Sequence, residues 1–216
     1  MRLAQIGAVS VFALVILTGC SSAASIDTAD TDSSQAPSPS PTPTIDPGPV
    51  ALSTEEAGER YLGIVCQRNG ATERMNQAFI AGEDEYLNGG NPDAAAVKAA
   101  AAEVLRLNTM QIALFDDAYF TWPDGLDAHL SNVRDSSMAQ ASTFNAVANA
   151  ATYEDAYNQS VFDDPEGAKS SQEIRYQLQL SPDTTASCQG YETTTEALHA
   201  EMVERNDYLA SFASEE

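Results

Sequence analysis

After residue 52, apolar residues recur at helical spacing along most of the chain, and no segment shows the strict alternation of a half-buried strand. Ser53 or Thr54 followed by Glu55 and Glu56 reads as a helix start, with acids at the positive end of the backbone dipole. Tyr61, Val65, Thr72, Met75 and Phe79 continue one face of this helix, and Asn69-Gly70 is expected to weaken or break it midway. Gly89-Gly90-Asn91-Pro92 predicts a turn, with Asn91 as cap and Pro92 at the first position of a second helix. Val97, Ala101, Val104, Ile112, Phe115, Tyr119 and Trp122 form the stripe of that helix. Trp122-Pro123 is expected to end it, because the residue before a proline disfavours helical backbone.

A third helix is expected from Pro123, with Leu126, Leu130, Val133, Ser137, Ala141, Phe144, Ala148 and Ala151 at a mean spacing of about 3.5 residues, reaching toward Phe162. Pro165 and Glu166 suit the first turn of a shorter fourth helix that carries Ile174 and Leu178 and stops at Ser181-Pro182. A loop with Cys188, Gly190 and Tyr191 leads to a last amphipathic helix from about Thr194 to Phe212. Long amphipathic helices joined by short turns predict an all-α fold, an antiparallel bundle of about 4–5 helices over residues 53–216.

The first 52 residues follow a different pattern. Arg2 precedes an apolar run from Ile6 to Leu17, shorter than the roughly 20 residues a membrane-spanning helix needs. The run ends in Leu17-Thr18-Gly19-Cys20, which resembles the lipobox of bacterial lipoproteins. That resemblance implies a signal peptide over residues 1–19, thioether-linked diacylglycerol on Cys20, cleavage before Cys20, and further acylation with chains such as palmitate. Two or three acyl chains anchor firmly where one does not. The expected location is the extracytoplasmic face of the cell membrane.

From Ser21 to Leu52 there is no apolar periodicity. Pro37, Pro39, Pro41 and Pro43 alternate with Ser and Thr, and Pro47 and Pro49 follow. Alternating proline favours extended polyproline II, so residues 20–52 are read as a disordered tether with a reach on the order of 100 Å. A motif for a proline-binding domain and a site of O-glycosylation are the alternatives.

Charge narrows the list of partners. With 32 acidic and 10 basic residues the net charge is −22, which disfavours nucleic acid. A hydrophobic content of 43% argues that this acidity marks a soluble surface rather than disorder.

If Cys20 carries lipid, Cys66 and Cys188 remain. Outside the membrane such a pair is expected to form a disulfide, which by the chain-entropy argument contributes about 4–5 kcal/mol for a loop this long. Two buried thiols or a redox pair are the alternatives, although no Cys-x-x-Cys spacing supports the latter.

The lipobox, the proline tether, Tyr61-Leu62-Gly63-Ile64-Val65-Cys66, Trp122-Pro123 and Ser187-Cys188-Gln189-Gly190-Tyr191 together resemble a group of uncharacterised lipoproteins of high-GC Gram-positive bacteria. The resemblance implies location and a helical architecture. It brings no activity and no catalytic residue.

Candidate chemistry is sparse. Glu196-x-x-His199 is half of a bundle di-iron motif, but His129 has Leu126 three residues before it, so the second half is missing and Glu196 and His199 read as a solvated face. Asp163, Asp164 and Glu166 read as helix-start acids rather than cation ligands. There is no Gly-x-Ser-x-Gly elbow, calcium loop or phosphate-cradling glycine motif. No catalytic residue, metal or cofactor is therefore assigned. Of Asp116 and Asp117, one is expected to face solvent, and a buried one would need a partner. Trp122, Tyr119 and Tyr191 are the candidate binding surface; the competing reading of Trp122 is a plug at one end of the bundle. Tyr153, Tyr157 and Tyr176 either line a groove with Tyr191 or simply pack with their hydroxyls outward.

The expected function is a non-enzymatic, membrane-anchored module that binds an envelope protein or cell-wall component. The alternative is a lipoprotein that binds a small molecule or metal in association with transport; a pocket between helices favours that alternative.

Overall fold

A computed structural model of the chain describes residues 48–159 and 164–213. The expected leader, Cys20, most of the tether and Phe162 lie outside the described residues. In chain order the elements are β1 (Val50–Ala51), α1 (Thr54–Leu87), α2 (Ala95–Phe115), β2 (Phe120–Thr121), α3 (Asp127–Ala148), α4 (Tyr153–Tyr157), α5 (Pro165–Gln177), α6 (Thr184–Ser187) and α7 (Thr194–Ala213). The described residues are thus all-α apart from one two-residue parallel pair, in which Val50 faces Phe120 and Ala51 faces Thr121. None of their helices is long and apolar enough to cross a membrane.

That pair corrects the expectation of no strand and moves the folded boundary upstream of Leu52. The Val50 N–H donates to the Tyr119 carbonyl at 2.7 Å and the Leu52 N–H to the Thr121 carbonyl at 2.9 Å. Backbone pairing with a segment far along the chain is invisible to local composition, which is why the stretch read as tether.

α1 starts where expected. Ser53 Oγ accepts from the Glu56 N–H, and Glu56 Oε2 accepts from the Ser53 N–H at 2.8 Å, a reciprocal capping box. The break expected at Asn69-Gly70 does not occur. Tyr61, Ile64 and Val65 are buried before it, and Ala71 and Met75 after it. Packing on both flanks overrides the weak helix propensity of two residues.

α2 differs from expectation at both ends. It starts at Ala95 rather than Pro92, with Asp93 Oδ1 accepting from the Ala95 N–H at 2.9 Å. It ends at Phe115, seven residues before Trp122. Asp117 stops it: its Oδ1 accepts from the Tyr119 N–H at 3.2 Å, a local turn that competes with continued helix.

α3 is also shorter than predicted, beginning at Asp127 and ending at Ala148, with Asn149 as its C-cap. A new start follows, in which Thr152 and Asp155 form a second capping box, with Thr152 Oγ1 accepting from the Asp155 N–H at 3.0 Å. The helix expected to run through Ala151 is therefore interrupted, and α4 departs from it.

Two apolar clusters form the core. One gathers Tyr61, Ile64, Leu114, Leu126, Leu130 and Ile174; the other gathers Met75, Val104, Leu107, Phe144, Val147 and Tyr153. α1 and α2 run through both. The most extensive helix contacts are α2 with α3 and α2 with α1, followed by α3 with α5. α1 and α3 both pack on α2 and make little contact with each other. The gap between them positions the site described next.

Candidate functional site

The trough between α1 and α3 has two chambers with Arg68 and Gln140 in common. The larger, of 590 Å³, is walled by Thr72, Met75 and Phe79 of α1 and by Phe144 and Val147 of α3, with Tyr157 of α4 closing one end. On α1 these residues fall on one face with Arg68, at successive helical turns. The smaller, of 220 Å³, is polar: Tyr61, Gln111, Ser136, Ser137, Asp164 and Arg175 line it. The Arg68 Nη2 donates to Gln140 Oε1, tying α1 to α3 where the chambers meet.

Arg68 stands out electrostatically among the described residues. Arg60, Arg74, Arg106, Arg134 and Arg205 each hold a carboxylate at 2.5–2.8 Å. Among the described residues, Arg68 and Arg175 form no such pair, and both line the polar chamber. Burial pushes the Arg68 guanidinium down to about 10, with no acidic neighbour to oppose it, so it stays charged at neutral pH. Its Nε is buried without an acceptor. The Phe144 ring, 5.6 Å from the guanidinium carbon, offers only the weak attraction of an aromatic face.

Arg175 is 6% exposed and bound to neutral oxygens. Its Nε donates to the Ser181 carbonyl at 3.0 Å, and its Nη2 donates to the same carbonyl and to Ser187 Oγ. It thereby fixes the chain between α5 and α6 while keeping its charge unmatched. Nearby, burial pushes the Tyr61 phenol up, against a hydrogen bond with Ser171 and the Arg175 charge. Gln111 Nε2 donates to Ser137 Oγ at 2.8 Å, while Gln111 Oε1 is buried without a donor. The Ser136 hydroxyl and the Gly167 N–H hold the Asp164 carboxyl below its ordinary value. Gly167 permits this close approach of α5 to α3, because a Cβ there would meet Ser136 Cβ at 2.8 Å.

The apolar end is closed by aromatic packing. The Tyr153 hydroxyl donates to the Phe79 carbonyl at 2.5 Å and the Tyr157 hydroxyl to Glu83 Oε1 at 2.8 Å. Phe79 meets both rings edge-on, at 6.0 and 6.3 Å. Gly82 leaves room for Tyr153: a Cβ at that position would stand 2.6 Å from the ring.

The structure joins Cys66 and Cys188 in a disulfide, as the cysteine count predicts. It gives the candidate aromatics places outside the trough. Trp122 and Tyr191 are half-buried against the first core cluster. Tyr119 stacks edge-on with Phe120 and lies under the Arg205 guanidinium, 4.1 Å from its ring centre. Of the other tyrosines singled out in the sequence, Tyr157 lines the trough and Tyr176 is 79% exposed.

Asp117 is the buried acid. Its side chain is 2% exposed, and it receives Arg60 at 2.8 Å and Arg205 at 2.7 Å from opposite ends of the chain. Asp116 faces outward, paired with Arg134 at 2.6 Å. Glu196 is held below its ordinary value by Gln67 and Arg106 and lies apart from any metal-like grouping. No group of three His, Cys, Asp or Glu that could hold a metal converges among the described residues, and His129 Nδ1 lies 3.4 Å from the Ser170 hydroxyl.

Sequence reasoning missed Arg68, Gln140 and Arg175. The one available sign was the placement of Arg68 on the same α1 face as Thr72, Met75 and Phe79. No family model matches the chain, and no curated protein or solved structure matches it either.

Proposed function

We propose that this chain is a lipid-anchored, extracytoplasmic binding protein that holds a small molecule between its helices and has no catalytic machinery of its own. In this reading, residues 1–19 are the leader, Cys20 carries the lipid, and the Ser/Thr/Pro segment sets the stand-off from the membrane. The helices after Leu52 form an antiparallel bundle of four to five main helices with α4 and α6 as connecting turns. The Leu17-Thr18-Gly19-Cys20 motif and the resemblance to lipoproteins of high-GC Gram-positive bacteria support the anchor.

The observation that carries the binding role is the trough, a 590 Å³ apolar chamber with polar groups gathered at one end. That combination of volume, apolar walls and a few convergent polar groups is the ordinary form of a small-ligand site. It favours small-molecule binding, of the kind that serves a transporter, over docking of an envelope protein. For the latter the surface offers exposed Ile80, Leu87 and Tyr176, and single exposed apolar side chains are ordinary on any protein.

Native mass spectrometry of the protein purified from its own envelope tests this. The expected result is a bound small molecule on the wild-type chain that is lost in Thr143→Trp, which fills the trough from α3. Identical bare masses for both would contradict the reading. For the anchor, incorporation of an alkyne-tagged fatty acid is expected to disappear in Cys20→Ala; persistence of the label would contradict it.

A further inference from the structure

We infer that the ligand of the trough is an amphiphilic monoanion, with its head group held in the polar chamber by Arg68 and Arg175 and its hydrocarbon tail lying in the apolar chamber. This rests on the reading of the trough as a ligand site and adds the chemistry of the ligand.

The head follows from charge. The chain has 32 acidic side chains for 10 basic ones, so a carboxylate partner is easy to supply. Arg60, Arg74, Arg106, Arg134 and Arg205 all have one. Among the described residues, Arg68 and Arg175, which share the polar chamber, form no ion pair. An unmatched cation that is partly desolvated, with its Nε buried, is costly, and a methionine or leucine at position 68 would wall the same space without that cost. The cost is offset when an anion arrives. Guanidinium suits that role because its planar fork matches a carboxylate or phosphate with two parallel hydrogen bonds. The Arg68 Nε still has an N–H to give.

The number of charges follows from Asp164. Its carboxyl, held below its ordinary value by Ser136 and Gly167, belongs to a residue that lines the same chamber. Among the described residues of the chamber, two guanidinium groups stand against one carboxylate, which leaves room for a single negative charge, and a second would face Asp164. The tail follows from the other chamber, where Met75, Phe79, Phe144 and Val147 present hydrocarbon and aromatic surface. An inorganic anion would leave that surface wet, and a neutral lipid would leave the guanidinium groups unmatched.

Head groups of this kind occur on free fatty acids and on phosphodiester lipids, and one titration series separates them. The chain from residue 20 onward, secreted with Cys20→Ser so that it carries no lipid, is titrated calorimetrically with dodecanoate, dodecyl methyl phosphate, dodecanol, dodecyltrimethylammonium, acetate and inorganic phosphate. Binding of dodecanoate, dodecyl methyl phosphate or both is expected, at least about tenfold tighter than dodecanol or the cation, since a charge-assisted hydrogen bond contributes that much or more. The preferred head group identifies the source. Arg68→Gln is expected to bring the anion down to the affinity of the alcohol while leaving the melting temperature unchanged or higher. Arg175→Lys keeps a charge but loses the fork, and is expected to weaken the anion only partly.

Equal binding of dodecanol and both anions would overturn the anionic head but keep the trough as a ligand site. Acetate or inorganic phosphate binding as tightly as the long-chain anions would overturn the tail. No binding of any of the six would overturn both this inference and the proposed function.

Discussion

Arg68 reaches across from α1 to donate to Gln140 of α3, and meets no carboxylate there. A single neutral hydrogen bond does not offset the desolvation of a guanidinium. Arg68→Met is therefore expected to raise the stability of the unliganded domain, by up to about 1 kcal/mol, because a half-buried charge without an acidic partner is replaced by hydrocarbon. Urea unfolding checks this. A loss of stability would mean that the Gln140 tie holds the fold together and that the charge is structural.

The buried charge at Asp117 is expected to behave in the opposite way. With Arg60 and Arg205 both converging on it, Asp117→Ala strands two buried cations and should destabilise the domain by about 3–5 kcal/mol. Its neighbour Asp116 pairs with Arg134 near the surface, so Asp116→Ala should cost less than about 1 kcal/mol. Equal effects in the two variants would contradict the assignment of Asp117 as the buried member.

Gly82→Ala places a methyl group 2.6 Å from the Tyr153 ring. Either the ring or α4 must move, at a cost of about 1–3 kcal/mol. Since Tyr157 of α4 closes the apolar chamber, ligand affinity should fall together with hydrogen-exchange protection at Ala156 and Tyr157. Unchanged protection would show that α4 does not depend on this close approach.

Acid should release α5 before the rest of the domain. The Asp164 carboxyl is held below its ordinary value by the Ser136 hydroxyl and the Gly167 N–H. Its folded value is depressed, so the stability it contributes is complete above the unfolded value, about pH 4, and is lost as pH falls through the lower folded value. The protection factors of α5 amides, measured against the intrinsic exchange rate at each pH, are expected to fall from pH 5 to about 2 in the wild type and to change less in Asp164→Asn. Parallel profiles would contradict the role of this cap.

Much of the fold is legible in the sequence. Capping residues and apolar stripes locate α1, α5 and α7, and the cysteine count gives the Cys66–Cys188 bond. The end of α2 was misplaced because a Trp-Pro pair is a strong local stop, whereas the true stop, Asp117, depends on partners 57 and 88 residues away. The break after α3 has a local sign, the Thr152–Asp155 capping box, which the continuing alanine spacing obscures. The trough was not legible. Arg68 and Gln140 lie 72 residues apart, and each alone reads as part of a solvated helix face. Only the packing of α1 and α3 on a common neighbour, α2, turns two polar residues into a site.

The central claim is that a ligand's negative charge sits beside Arg68. The most direct measurement is the pH titration of the carboxyl resonance of carbon-13-labelled dodecanoate bound to the chain. With guanidinium neighbours the bound carboxyl should titrate below the midpoint of the same carboxyl free in water, and in Arg68→Gln its midpoint should move upward. A bound carboxyl that titrates above the free midpoint in the wild type, and is unmoved by Arg68→Gln, would contradict the account.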